Sequence, residues 1–257
     1  MKKFVLGAIF ALICGSALFA QTLKDGFFFA MDSNWTNNQK NQVVINVING
    51  RIVSAAWNII SLDAGTPDHK AIARAGTDSA ITTWAAQAKV VEDFLVSSQN
   101  VNATSVPGGP PNVKPFFDLV KRATDRRAVA VVKGNFHDGW HYAEEAEHDD
   151  FHTKNTVLIT VVNGTIVDVL WNGILLGMPA SVNPSKVITS LSNNNRGYPM
   201  PGSKRPWHLQ AVDVAAELVK KQNPSSLTML PNNKPDAISG VSIEINHFLE
   251  AARAALR

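Results

Sequence analysis

The residues best suited to chemistry stand near the C-terminus, in the segment DAISGVS that runs from Asp236 to Ser242. A Ser-Gly turn here leads into an amphipathic segment, which predicts a helix over residues 243–256. Hydroxyl and backbone N–H groups at the start of a helix can bind phosphate, because the unpaired N–H groups are partly positive. The alternative is structural: Ser239 or Ser242 caps the helix, and Glu244 lies in its first turn.

A second group of candidate residues consists of four histidines among acidic side chains, a combination that can bind a transition metal. They are His137, His141, His148 and His152. By analogy with the first half of the chain, we predict a strand over residues 137–145. Along a strand His137 and His141 would lie roughly 13 Å apart, at about 3.3 Å per residue. A shared metal would require a helix, where residues four apart are neighbours. We therefore interpret this segment as the solvated polar edge of a hairpin and predict no metal site.

Other catalytic motifs are absent from the sequence. There is no G-x-S-x-G, P-loop, G-x-G-x-x-G, H-E-x-x-H or C-x-x-C pattern. The single cysteine, Cys14, excludes a disulfide framework within the chain. We predict no catalytic acid, base or nucleophile.

An internal repeat defines the elements that must position these residues. Residues 45–59 and 159–173 share eight of fifteen residues at a shift of 114. Residues 84–100 and 207–223 share eight of seventeen at a shift of 123. Two matches in the same order indicate two tandem copies of one domain.

Both copies show the same pattern of a hairpin followed by helices; copy 1 is assigned to residues 21–127 and copy 2 to residues 128–257. Asn-Gly pairs at 49–50 and 163–164 separate β-branched segments, and Asn-Gly favours the type I′ turn of a tight hairpin. Apolar periodicity predicts helices over residues 81–98 and 113–123 in copy 1, and over 206–222 and 243–256 in copy 2. We therefore expect an α+β fold, with an antiparallel sheet and helices in each copy.

The order of these features resembles the FMN-binding domain family of exported or membrane-associated flavoproteins. The resemblance rests on an Asp-Gly strand, a hairpin with V-x-N-G-x-I, a helix, and D-x-x-S-G-x-[ST] before a closing helix. In that family the last motif ends in Thr, whose hydroxyl a separate flavin transferase esterifies to the FMN phosphate. Here Asp236, Ser239 and Gly240 match the pattern, while Val241 replaces Ala and Ser242 replaces the acceptor Thr.

The resemblance implies an FMN cofactor in copy 2, with Ser242 as the candidate for a covalent phosphoester. It also implies that the loop containing Gly177 and Met178 lies close to the isoalloxazine ring. Trp57 and Trp171 occupy equivalent places after the two hairpins, which favours core packing, with flavin stacking as the alternative.

Copy 1 lacks the acceptor hydroxyl. When Phe117 is aligned with Phe248, Pro111 stands opposite Ser242, and proline has no hydroxyl group. We therefore expect copy 1 to be a structural or partner-binding copy.

Residues 1–20 have the layout of a secretory signal peptide. Two lysines precede an apolar run from Phe4 to Ile13, and small residues lead to a cleavage point after Ala20. The alternative is an anchor that is retained. Ile13 occupies the position usually held by Gly or Ala before a lipidated cysteine, so we do not expect a lipid anchor at Cys14.

The net charge of +3 arises mainly from this leader. Removing its two lysines leaves 22 basic and 21 acidic residues, a net charge of +1. No basic stripe with interleaved aromatics remains, which argues against nucleic-acid binding. We expect an electron carrier in the periplasm or at the cell envelope, with a flavin transferase and a redox protein at the membrane as partners. The alternative is a flavin-free binding or structural module.

Overall fold

The computed structural model describes residues 23–63, 67–147, 153–175 and 205–257. Within them the chain forms two three-stranded antiparallel sheets, each associated with helices. The predicted α+β fold in two parts is therefore confirmed. None of the helices in these ranges has the length and apolar composition needed to cross a bilayer.

Copy 1 contains a three-stranded meander and three helices in its described part. The strands are β1 (Gly26–Met31), β2 (Gln39–Ile48) and β3 (Arg51–Ser61). The helices are α1 (His69–Ala75), α2 (Ser79–Ser98) and α3 (Lys114–Ala123). Sequence periodicity located α2 and α3 within two residues and missed α1, a seven-residue helix capped by the side chain of Asp68.

Copy 2 repeats the meander and the two longer helices. Its elements are β4 (Gly139–Glu144), β5 (Thr153–Val162), β6 (Thr165–Leu175), α4 (Trp207–Lys221), a 3-10 turn (Pro224–Ser226) and α5 (Asn246–Ala255). Two predicted starts were wrong: α5 begins at Asn246 rather than 243, and β4 begins at Gly139 rather than 137. Gly139, the first residue of β4, has φ +141°, a conformation that favours glycine.

The two hairpins have the same turns and the same irregularity. Asn49 and Gly50 have φ values of 52° and 71°, and Asn163 and Gly164 have values of 51° and 75°. Positive φ at both central residues is the type I′ turn expected for Asn-Gly. In both hairpins the register shifts at the equivalent place, next to Asn46 in β2 and Thr160 in β5.

A tryptophan on the last strand of each sheet joins that sheet to its helices. Trp57 is 2% exposed and its ring lies 5.4 Å from those of Trp84 and Phe116. In copy 2, Trp171 is 3% exposed and lies 4.8 Å from both Trp207 and Phe248. The prediction that Trp57 and Trp171 are core residues is confirmed.

The two copies meet through a small cluster of polar side chains around Gln42 of β2. Its Oε1 accepts hydrogen bonds from Trp140 Nε1 at 2.6 Å and from Thr160 Oγ1 at 3.0 Å. Its Nε2 donates to Asp168 Oδ2 at 2.6 Å. Gln42 is fully buried, so these bonds satisfy an amide that has no access to water.

Asp168 is the charged member of this cluster. Burial raises the pKa of its carboxyl to about 6, although Lys40 and the hydrogen bond from Gln42 favour the ionised form. A pKa above the ordinary value of about 3.9 means that the folded chain binds this proton more tightly than the unfolded chain. The ionised carboxylate therefore lowers the free energy of unfolding. This destabilisation of the folded state is fully present above about pH 6 and disappears as the pH falls towards 4.

We predict that Asp168→Asn raises the free energy of unfolding at pH 7.5 by about 1–2 kcal/mol, because it removes a half-buried charge and keeps an acceptor for Gln42. At pH 4.5 the gain should largely disappear. Urea denaturation at the two pH values measures both effects. Asp118→Asn, at an exposed carboxylate of α3, is the control and should show no comparable gain at pH 7.5. A variant that is less stable than the parent at pH 7.5 would contradict the prediction.

Candidate functional site

The segment 236–242 forms a surface loop held in place by its backbone. Asp236 N–H donates to the carbonyl of Thr228 at 3.1 Å, and Val241 N–H donates to Ile238 at 3.3 Å. Gly240 has φ +76°, a left-handed conformation that favours glycine. Asp236, Ser239, Gly240 and Ser242 are exposed, whereas Val241 is half-buried against the core of copy 2.

The hydroxyl of Ser242 does not cap the following helix. Ile245 is the N-cap of α5 and makes no side-chain capping bond, so the predicted cap by Ser239 or Ser242 was wrong. Glu244, predicted in the first turn, precedes the helix. Ser242 instead contacts Gln210 of α4, whose Oε1 accepts from the Ser242 N–H at 2.6 Å and from its Oγ at 3.2 Å.

Gln210 and Arg205 are the residues that position this loop, and the motif search missed both. Gln210 is 1% exposed, and its Nε2 donates to the carbonyl of Arg205 at 2.9 Å. A methyl group added to Gly240 would lie 3.2 Å from Nη1 of Arg205, so the guanidinium lies directly against the loop. Arg205 also forms an ion pair with Asp213. The loop therefore combines an exposed hydroxyl, a positive-φ glycine and a nearby cation.

Several residues from the sequence predictions lie outside the described residues. They are Gly177 and Met178, predicted near the isoalloxazine ring, and His148 and His152 of the histidine group. His137 and His141 are described: Nε2–H of His141 donates to the carbonyl of His137 at 2.8 Å.

The structure corrects the alignment between the two copies at the last helix. Phe116 packs on Trp57 at an interplanar angle of 37°, and Phe248 packs on Trp171 at 36°. Phe116, not Phe117, is thus equivalent to Phe248, which is a shift of 132. The same shift pairs two glycines of φ +79° and +76°, Gly108 and Gly240.

With this register Pro110, rather than Pro111, stands opposite Ser242. The interpretation that copy 1 has no acceptor hydroxyl is unchanged.

A second cluster of polar side chains lies where α5 meets the end of β4. Ligand atoms of Glu145, His247 and Glu250 all lie within 4.8 Å of one another. Oε1 of Glu145 is 2.5 Å from Nδ1 of His247. The neighbouring Glu144 is paired with Lys154 at 2.7 Å, and this hydrogen bond lowers the pKa of the Glu144 carboxyl.

Sequence reasoning missed this cluster as well. Glu145 and His247 are separated by 102 positions, so no local spacing joins them. The only sequence signal was the pair His247 and Glu250, which lie three apart and therefore share a helix face.

We predict that Gln210→Ala lowers the free energy of unfolding by about 1–3 kcal/mol, because it removes both bonds to Ser242 and the bond to the Arg205 carbonyl. Gln87→Ala is the matched control, since Gln87 is the equivalent residue of α2 and is only half-buried. The control should cost less than about 0.5 kcal/mol. Urea denaturation followed by tryptophan fluorescence compares the two, and equal losses would contradict the assignment.

No protein-family model matches this chain, and no curated protein matches it. A solution NMR structure of a protein from Clostridium thermocellum, determined by the Northeast Structural Genomics Consortium, is 37% identical in sequence. The match covers 46% of this chain and 88% of that chain, with a TM-score of 0.35.

Proposed function

We propose that this chain is an exported FMN-binding protein that transfers electrons at the cell envelope, with FMN in copy 2. The observation that supports this proposal most directly is the position and exposure of Ser242. Its hydroxyl lies on an exposed loop, at the motif position where the resembled family has its flavin acceptor. The buried Gln210 accepts a hydrogen bond from the backbone N–H of Ser242 and so fixes the loop to α4.

The residues around the loop suit a phosphate ester. Oγ of Ser242 is the only atom of that side chain able to form the ester, and a phosphodiester retains one negative charge. Arg205 lies against Gly240 and supplies a guanidinium, which is a strong partner for phosphate oxygens. Gly240 has no side chain to separate the cation from the loop. These residues fit the phosphate end of FMN; the loop of Gly177 and Met178, proposed for its ring end, is outside the described residues.

FMN, when bound, supplies one- and two-electron redox chemistry. The protein would contribute the attachment point, the compensating charge and the position of the cofactor. A flavin transferase is the proposed modifying enzyme, and a redox protein at the membrane is the proposed electron partner.

The alternative function is a flavin-free binding or structural module of the envelope. One observation favours it: the N–H of Ser242 is already bound by Gln210, so this donor is not directed at a phosphate. The absence of a hydroxyl at Pro110 in copy 1 is compatible with either function. Visible flavin absorption of protein purified from its native host supports the electron carrier, and its absence supports the flavin-free module.

We predict that co-expression with a flavin transferase adds the mass of one FMN less one water. Ser242→Ala should abolish this adduct because it removes the acceptor oxygen, and Ser242→Thr should retain it because a hydroxyl remains. Ser226→Ala, at an exposed serine of the same copy, is the control. Intact-protein mass spectrometry reads the result. An adduct that persists in Ser242→Ala, or no adduct on the parent chain, contradicts covalent attachment at Ser242.

A further inference from the structure

Glu145, His247 and Glu250 bring together a nitrogen and two carboxylate donors from two parts of copy 2. Glu145 follows β4 directly, and His247 and Glu250 lie on one face of α5. Their ligand atoms lie within 4.8 Å of one another. Protein ligands bind Zn²⁺ at about 2.0–2.2 Å, so two ligand atoms on one ion lie at most about 4.4 Å apart. The limit of 4.8 Å on the separations of the three ligand atoms is close to the range that one bound ion requires.

Glu145 is oriented by a chain of hydrogen bonds that begins in the core. Trp171 Nε1 donates to Oδ1 of Asn155 at 2.9 Å, and Asn155 donates from both N and Nδ2 to Oε2 of Glu145 at 2.7 and 3.0 Å. These bonds occupy one carboxylate oxygen and turn the other, Oε1, towards His247. Orientation of a ligand by an outer hydrogen-bond partner is a general feature of metal sites in proteins.

The three donors line a cavity of about 430 Å³ whose charged walls are acidic. Glu144 and Glu147 also line it, and no lysine or arginine is among its lining residues in the described part of the chain. Lys154 pairs with Glu144 but not with Glu145 or Glu250. A bound cation would therefore reduce the repulsion between these carboxylates, since the only basic side chain among the described lining residues of the cavity is the imidazole of His247.

Copy 1 has the same hydrogen-bond chain without the donor set. Trp57 donates to Asn41, which donates from N and Nδ2 to Asp32 at 2.8 and 2.7 Å. At the shift of 132, however, Pro115 replaces His247, and Asp118 replaces Glu250.

Asp118 is moreover paired with Lys114. The chain of hydrogen bonds is thus a property of the fold, whereas the combination of an imidazole with two carboxylates belongs to copy 2.

The geometry points to a site for one divalent transition-metal ion, with Glu145, His247 and Glu250 as its protein ligands. A donor set of one imidazole nitrogen and two carboxylates suits Zn²⁺, Co²⁺, Mn²⁺ or Fe²⁺, whereas Mg²⁺ and Ca²⁺ prefer oxygen alone. Three protein ligands leave at least one coordination position open to the cavity, as in zinc sites that bind water or a further ligand. This site is independent of Ser242 and of flavin.

The test uses the metal-free, untagged mature chain and Co²⁺ as the probe, since Co²⁺ bound to nitrogen and oxygen ligands absorbs visible light. We expect one Co²⁺ per chain, displaced by Zn²⁺. Glu145→Gln, His247→Gln and Glu250→Gln should each weaken binding at least tenfold. Asp32→Asn and Asp118→Asn, at the equivalent positions of copy 1, are the matched controls and should bind Co²⁺ as the parent does.

Near-ultraviolet circular dichroism of the metal-free variants checks that each is folded. Glu250 is exposed, so Glu250→Gln remains decisive even where another variant does not fold. Failure of the parent chain to bind Co²⁺ overturns the proposal, as does binding that is unchanged in folded Glu250→Gln and His247→Gln. Loss of binding in a His148→Ala/His152→Ala variant, with full binding in the three glutamine variants, overturns it too and assigns the metal to the histidine-rich segment.

Discussion

The indole on the last strand of each sheet is the contact on which each copy depends. In copy 2, Trp171 packs its ring against Phe248 of α5 and Trp207 of α4, while its Nε1 donates to Asn155 on the neighbouring strand. The side chain of Trp171 therefore joins the sheet to both helices and also positions Asn155 near the start of β5. Burial of an indole provides a large apolar contact, and its single donor must find an acceptor inside the protein. Asn155 supplies that acceptor, and its Nδ2 in turn donates to the carboxylate of Glu145 and orients it.

Around this shared frame the two copies differ where chemistry is possible. Position 110 is Pro in copy 1, and the equivalent position 242 is Ser in copy 2; position 115 is Pro, and its equivalent 247 is His. Proline offers neither a hydroxyl nor an imidazole, yet α3 and α5 pack with the same burial pattern. The fold thus tolerates either set of residues at these two places. The groups that copy 2 has at these two places are the ones on which the two proposals depend.

The repeat and the hairpins were predictable because their signals are local. The Asn-Gly turns are defined by two adjacent residues, and the apolar periodicity of α2 and α4 is visible within each helical segment. The start of α5 was misplaced because Ile243 and Ile245 continue the apolar pattern outside the helix, where they are buried all the same. Contacts across the chain could not be predicted: Gln210 meets Ser242 across 32 positions, and Glu145 meets His247 across 102. The packing of α4 and α5 on the sheet brings these partners together.

The two candidate sites of copy 2 depend on the same helix but differ in electrostatics. Before α5, the guanidinium of Arg205 lies against Gly240 and favours an anion. In the first turns of α5, His247 and Glu250 face Glu145 in a cavity whose charged walls are acidic, and this arrangement favours a cation. Because the buried ring of Phe248 anchors α5, neither site needs the other to be formed. A single packed helix can therefore support an anionic ligand at its entrance and a metal ion along its side.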